Sequence, residues 1–291
     1  MSARAWSNHR FWGEFLDGSG KSPAVLGSGG LATITDSAIV IRRWDFSETS
    51  QTVSLLTREH GIIRGLAKGA KRDKGTFSGG LDLLAEGEIV AIVKTGRDLA
   101  TLTAWHLQRT HRVLRENLAA NRAALYMADL VHHLMIDHDP HPAVFDALSE
   151  ALALIDADAG NADLALLRLQ WTALSEAGYR PDLSVEEGST PTSGDARGRN
   201  TVMFSAVSGG VIDARDAESP DGTHAGPVWR VRRQTIELLI DIAAGRDAAT
   251  HDRATLRRGN RLLAAYSREV IGSEPAAMRW AFPDLDVPRR R

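Results

Sequence analysis

Along the first third of the chain the apolar residues come in short runs rather than at helical spacing. "TDSAIVIRRWDF" (35–46), "QTVSLLTREHG" (51–61), "IIRGLAKGAKR" (62–72), "LDLLAEGEIVAIVKTG" (81–96) and "LATLTAWHLQRT" (99–110) are five segments rich in Val, Ile, Leu and Thr. They are parted by the turn-forming stretches Asp45-Phe46-Ser47-Glu48, Glu59-His60-Gly61, Lys74-Gly75-Thr76 and Thr95-Gly96-Arg97-Asp98. Five strands with no helical period between them predict a small closed sheet. The five-stranded oligonucleotide-binding (OB) barrel is the commonest such solution, with a six-stranded or SH3-like barrel as the alternative.

After Thr110 the period becomes helical. Leu114, Leu118, Leu125, Leu130 and Leu134 mark one long amphipathic helix through "HRVLRENLAANRAALYMADLVHHLM" (111–135). A second helix is expected in "HPAVFDALSEALALIDA" (141–157), with Pro142 in its first turn. The third, "NADLALLRLQWTALSEAG", is capped at Asn161 or Asp163 and stopped by Gly178. Residues 179–227 are rich in Gly, Ser, Thr, Pro and Asp, with only "TVMFSAVSGGVI" strand-like, and read as an irregular insertion. "VWRVRRQTIELLIDIAAG" (228–245) and "HDRATLRRGNRLLAAYSREVIG" (251–272) resume the helical pattern before a tail. The expected organisation is therefore α+β. Residues 1–32 form a flexible extension, 33–111 the barrel, 112–273 the helical domain with its insertion, and 274–291 the tail.

Composition removes several function classes. The chain of 291 residues has no cysteine, which excludes disulfide frameworks, thiolate zinc sites, iron–sulfur clusters and cysteine nucleophiles. No apolar run approaches the ~20 residues that cross a bilayer, and the N-terminus lacks the apolar segment of a secretory signal, so a cytoplasmic protein is expected. The net charge of −2 supplies no global attraction to polyanions, so anion binding has to come from a local patch. "GSGKS" (18–22) imitates the end of a phosphate-binding loop, but Phe15 stands where its opening glycine belongs and Pro23 follows where a helix must begin.

The local patch lies between Arg58 and Lys74, where Arg58, Arg64, Lys68, Lys71, Arg72 and Lys74 face only Glu59 and Asp73. Lysine and arginine neutralise phosphates and release counterions, while glycines let the backbone approach a flexible strand, so Gly69, Gly75, Gly79, Gly80 and Ser78 join the candidate contacts. The plain alternative is a solvated loop that serves solubility. Arg42, Arg43 and Trp44 end the first strand, and Trp105 with His106 lies in the fifth. A tryptophan beside arginine can stack on a base, although such a residue more often fills a barrel core. His132, His133, His138 and His141 with Asp137 and Asp139 are the one metal-like cluster, but adjacent histidines on a helix diverge by about 100° and read better as a solvated helix end. No Gly-x-Ser-x-Gly, no His-Glu-x-x-His and no framed carboxylate pair is present, so neither catalysis nor a cofactor is expected.

The Ser37–Ile41 strand, Asp45-Phe46-Ser47-Glu48, "LLTREHG", "LAKGAKR" and Phe77 together closely resemble the N-terminal domain of the RecO family of bacterial DNA repair and recombination mediators. The likeness continues less specifically through "SEAGYRPDL" and "FSAVSGGVI", from about Thr33 to Ile271. It implies an OB barrel followed by a helical domain, binding of single- and double-stranded DNA, and annealing of complementary strands. It also implies cooperation with RecR and RecF in loading RecA onto strands coated by single-strand-binding protein, in a cytoplasmic, nucleoid-associated setting. By the same likeness, Lys68, Lys71, Arg72 and Lys74 match the basic loop that contacts DNA, with Arg42 and Arg64 as weaker candidates. Arg230, Arg232, Arg233, Arg257, Arg258 and Arg261 mark a candidate surface for the acidic tail of single-strand-binding protein. Many relatives carry four cysteines, consistent with zinc, around the Gly-Tyr-x-Pro and Phe-Ser-x-x-x-Gly-Gly segments. Here Ser184, Glu187, Asp213 and Asp216 stand in that region and no metal is expected. The competing reading is a protein-interaction adaptor with an OB-type barrel and no direct role on DNA.

Overall fold

The computed structural model describes residues 30–71, 76–77, 81–184, 200–213 and 226–285. Residues 1–29, most of the expected extension and all of the GSGKS segment, lie outside them. The strands β1 (Leu31–Asp45), β2 (Gln51–Thr57), β3 (Gly61–Ala67), β4 (Glu86–Lys94) and β5 (Ala100–Arg109) close into a barrel in the order β1-β2-β3-β5-β4. β4 returns to pair with β1, and β3 runs parallel to β5 from Gly65↔Ala100 to Ala67↔Leu102. This is a five-stranded barrel of the OB type.

The runs "AIVI" and "VSLLT" are buried at every position because both of their faces are covered, which a half-buried strand never requires. Val40, Leu55, Ile63, Ile89, Leu102 and Trp105 fill the barrel. Ile39, Ile41, Leu56 and Ile62 point the other way and join one core with Tyr126, Met127, Leu130 and Val131. Those last four belong to α2 (Leu118–Leu134), which follows a single turn, α1 (Val113–Glu116). The helix expected across 111–135 is interrupted at Asn117. Its extended backbone (φ −122°, ψ 110°) breaks the helix, and its side-chain oxygen accepts from the Ala120 amide at 3.0 Å to cap α2.

α3 (Pro142–Ala157) and α4 (Ala162–Glu176) complete the first bundle. β6 (Thr201–Ser205), β7 (Gly210–Ile212) and β8 (Val228–Arg232) then form a small sheet in the order β7-β6-β8. The reading of 228–245 as wholly helical is corrected at its start. Val-Trp-Arg-Val-Arg alternates with period two, so Val231 is buried, Arg230 and Arg232 face solvent, and the segment pairs with β6. α5 (Arg233–Ala243), α6 (Arg253–Ile271) and the short α7 (Met278–Ala281) finish the described chain. The small sheet is held by aromatic packing: the buried Phe204 ring lies 6.1 Å from Trp229 and 5.6 Å, edge-on, from Tyr266 of α6.

Barrel and helices are also joined by polar contacts. Arg58 grips Asp146 of α3 through Nε and a terminal nitrogen at 3.0 and 2.9 Å, and this hydrogen-bonded cation holds the Asp146 carboxyl below its ordinary pKa. The β2–β3 turn passes through Gly61 at φ +68°, where a Cβ would collide with the Asp139 backbone. Beyond that turn the His138 amide donates to the Ile62 carbonyl at 3.1 Å. Among the described residues no helix is long and apolar enough to cross a membrane.

Candidate nucleic-acid interface

Register places the residues on the outer face of β1–β2–β3 in rows. Arg42, Ser54 and Arg64 form one row, and Trp44, Thr52 and Leu66 the next. A bulge between Val40 and Arg42 keeps both Ile41 and Arg42 on this outer side. The ladder then continues into the β1–β2 turn, where the Phe46 amide donates to the Ser50 carbonyl at 3.1 Å, with Lys68 just past the end of β3. The row nearest the helices is neutralised. Arg42 donates to Asp129 at 2.5 Å and Arg64 lies 3.0 Å from Asp137.

Farther from the helices the cations are free or loosely held. Lys68 is exposed and has no ion-pair partner among the described residues. Lys71 sits beside the β1–β2 turn, its amide donating to Thr49 O at 3.2 Å and its ammonium to Ser47 O at 3.1 Å and to Asp45 at 2.9 Å. Its hydrogen bond and charge hold the Asp45 carboxyl below the usual carboxylate range. The Asp45 side chain is 72% exposed, so the pair is of the solvated kind that adds little to stability. Arg72, Lys74, Gly75, Ser78, Gly79 and Gly80 lie outside the described residues. The β4–β5 turn carries exposed Arg97, and the β5 strand that follows it begins opposite Gly65 of β3. The strand 2–3 face and the two flanking turns are where OB barrels receive oligonucleotides.

The two tryptophans part company. Trp44 is 46% exposed on this face, whereas Trp105 is 3% exposed, packed over Gly87 inside the barrel, where it has no access to a base. Phe46, 63% exposed, was not singled out by sequence; it sits in the β1–β2 turn, and only its backbone bond to Ser50 shows that it prolongs the pairing that carries Trp44. The histidine-rich stretch serves the domain junction. Asp137 meets Arg64, and the half-buried His141 lies 3.4 Å from both Asp139 and Glu176. Among the described residues no three His, Asp or Glu side chains form a group able to hold a metal ion. Glu187 and Asp216 lie outside the described residues, while Ser184 is bonded to Asp182 through both its amide and its hydroxyl.

The six arginines proposed for an acidic peptide are not gathered in one place. Arg257 and Arg261 line a pocket of about 550 Å³ with Arg122, Arg253, Trp280 and Phe282, but Arg230, Arg232 and Arg233 do not. Arg257 also contacts Asp163 at 3.3 Å, Arg261 donates to the Asp284 carbonyl, and Arg258 is turned onto Thr255.

Two family descriptions match this chain in sequence order: "Recombination protein O N terminal" over residues 31–111 and "Recombination protein O C terminal" over residues 115–277. A DNA repair protein RecO of Rhodopirellula baltica is 40% identical over 176 residues, 60% of this chain and 64% of that protein. That of Salinibacter ruber is 32% identical over 257 residues, 87% of this chain and 90% of its own length. The DNA repair protein RecO of Dehalococcoides mccartyi shares 26% over 248 residues. The barrel falls within the first matched region and helices α2 to α6 with the small sheet within the second, and the chain belongs to the RecO family.

Proposed function

We propose that the protein is a DNA repair and recombination mediator that binds single- and double-stranded DNA through the outer face of β1–β3 and the loop after β3. In this reading it acts without catalysis. Two strands repel through their phosphates, so a surface that screens this charge without enclosing the bases lowers the barrier to their encounter and leaves pairing to the DNA. Lys68, Lys71, Arg72 and Lys74 are the proposed phosphate contacts. Arg64 and Arg42 are weaker ones, because a phosphate has to compete with Asp137 and Asp129. The observation that supports the reading best is Lys68, exposed and without an ion-pair partner among the described residues, near a Lys71 whose ammonium is held by the exposed Asp45 carboxylate and the Ser47 carbonyl. Family membership extends the proposal to RecR, RecF and RecA as partners. It also extends it to the acidic tail of single-strand-binding protein, for which the Arg257–Arg261 pocket is the proposed receptor.

The test is fluorescence anisotropy of a labelled oligonucleotide over a salt series. The wild type should weaken steeply as salt rises, and exchanging all four cations for alanine should flatten the logarithmic slope by about 0.7 per lost phosphate contact on single strands. An unchanged slope in that variant rejects the assignment. For the tail, a peptide that binds wild type and the Arg257→Ala/Arg261→Ala variant equally at low salt removes the pocket from the account.

A further inference from the structure

Two aromatic side chains at the end of β1, Trp44 within the strand and Phe46 just after it, are uncovered, although the outer face of β1 a few residues earlier is roofed by α2. Trp44 and Phe46 are 46% and 63% exposed, and neither takes part in a ring–ring or cation–π contact among the described residues. Ile39 and Ile41, which point to the same side, are at most 2% exposed. The two rings are therefore not part of the core that fixes the barrel to the helices. They stand beside the loosely held cation: Lys71 bonds Asp45, the residue between them, and Ser47, the residue after them.

We propose that Trp44 and Phe46 form a stacking platform for unpaired bases, which makes this face select single strands over duplex. The proposal rests on the phosphate-binding reading of the same face. The Phe46 amide bonds the Ser50 carbonyl, which carries the β1–β2 pairing one residue past the strand, and residues two apart on such an extended run lie ~6.7 Å apart, about twice the ~3.4 Å step between stacked bases, so each ring can take one base of an opened strand. Every base has a π-face, so stacking costs nothing in sequence tolerance and suits an annealing surface. In a duplex those faces are covered by neighbouring pairs, and only the cations act. Lys68 and Lys71 thus hold either form of DNA, and the rings add affinity for one.

The experiment compares full-length wild type, Trp44→Ala, Phe46→Ala and Trp44→Phe by anisotropy. The probes are a 30-nucleotide oligo-dT and a 30-base-pair duplex, in one salt series. Each alanine variant should lose about 5- to 150-fold on the single strand and less than twofold on the duplex, with an unchanged salt slope, and Trp44→Phe should recover most of the loss. An oligonucleotide carrying 2-aminopurine should be quenched by wild type and less so by the variants. Single-strand affinity equal to wild type in both alanine variants overturns the platform, as does an equal loss on both probes. A wild type that binds neither probe with a salt dependence sinks the phosphate reading itself, so the two failures are told apart.

Discussion

Asp129 of α2 is 7% exposed and uses both carboxylate oxygens to join three parts of the chain. Oδ1 accepts from Arg42 of β1 at 2.5 Å, and Oδ2 accepts from the buried Ala277 amide at 2.9 Å, just before α7. Asp129→Ala deletes a charge-assisted bond worth about 1.5–3 kcal/mol and leaves a buried N–H unpaired at a further cost of about 1–3 kcal/mol. A loss of about 3–5 kcal/mol is expected, the range for breaking a buried ion pair from one side. Urea unfolding should show it as a lower midpoint at unchanged slope. Arg42→Met spares the Ala277 bond but leaves the buried carboxylate without its cation, so it should also destabilise, and the double variant should cost clearly less than the sum of the two single variants. Limited trypsin digestion separates the two roles: cleavage at Arg279 should accelerate in Asp129→Ala and not in Arg42→Met. A loss under about 1 kcal/mol, or additive single-variant costs, refutes the reasoning.

Two further outcomes follow from the same junction. Burial, with Arg42 and His133 adding and Asp137 opposing, pushes the pKa of His132 down to about 4. The unfolded chain, with His near 6.5, therefore takes up the proton first, and stability present above about pH 6.5 is lost as pH falls towards 4. Allowing for the partial exposure of His132, the loss at pH 5 is about 1 kcal/mol, and burial shifts His111 in the same direction. A melting temperature that does not fall between pH 7 and pH 5, or falls equally in His132→Gln, contradicts this. Gly61→Ala should lower the melting temperature by several degrees, because alanine is strained at φ +68° and its methyl meets the Asp139 backbone. A melt identical to wild type counts against a fixed contact between that turn and the α2–α3 loop.

The barrel was legible because β-branched runs and turn residues are local signals, and five of them at regular spacing leave few closed sheets to choose from. The start of β8 was not, since Val-Trp-Arg-Val-Arg abuts a helical pattern and only pairing with β6 decides its state. Charge was the least legible quantity. Arg42, Arg58 and Lys71 look alike in a basic sequence, yet Asp129 and Asp146 engage the first two from 87 and 88 residues away, while Lys71 stays at the surface. Trp44 and Trp105 make the same point for aromatics. Strand parity sends one to solvent, and Gly87 leaves the space that the other fills.

The central claim is the location of the DNA-binding face, and hydrogen–deuterium exchange of the full chain with and without an oligo-dT strand tests it most directly. The account predicts slowed exchange across Trp44–Ser50 and Leu66–Lys74, with Arg253–Arg261 unchanged. Protection confined to the helical domain, with the β1–β2 turn and the loop after β3 exchanging as in the free protein, would contradict it.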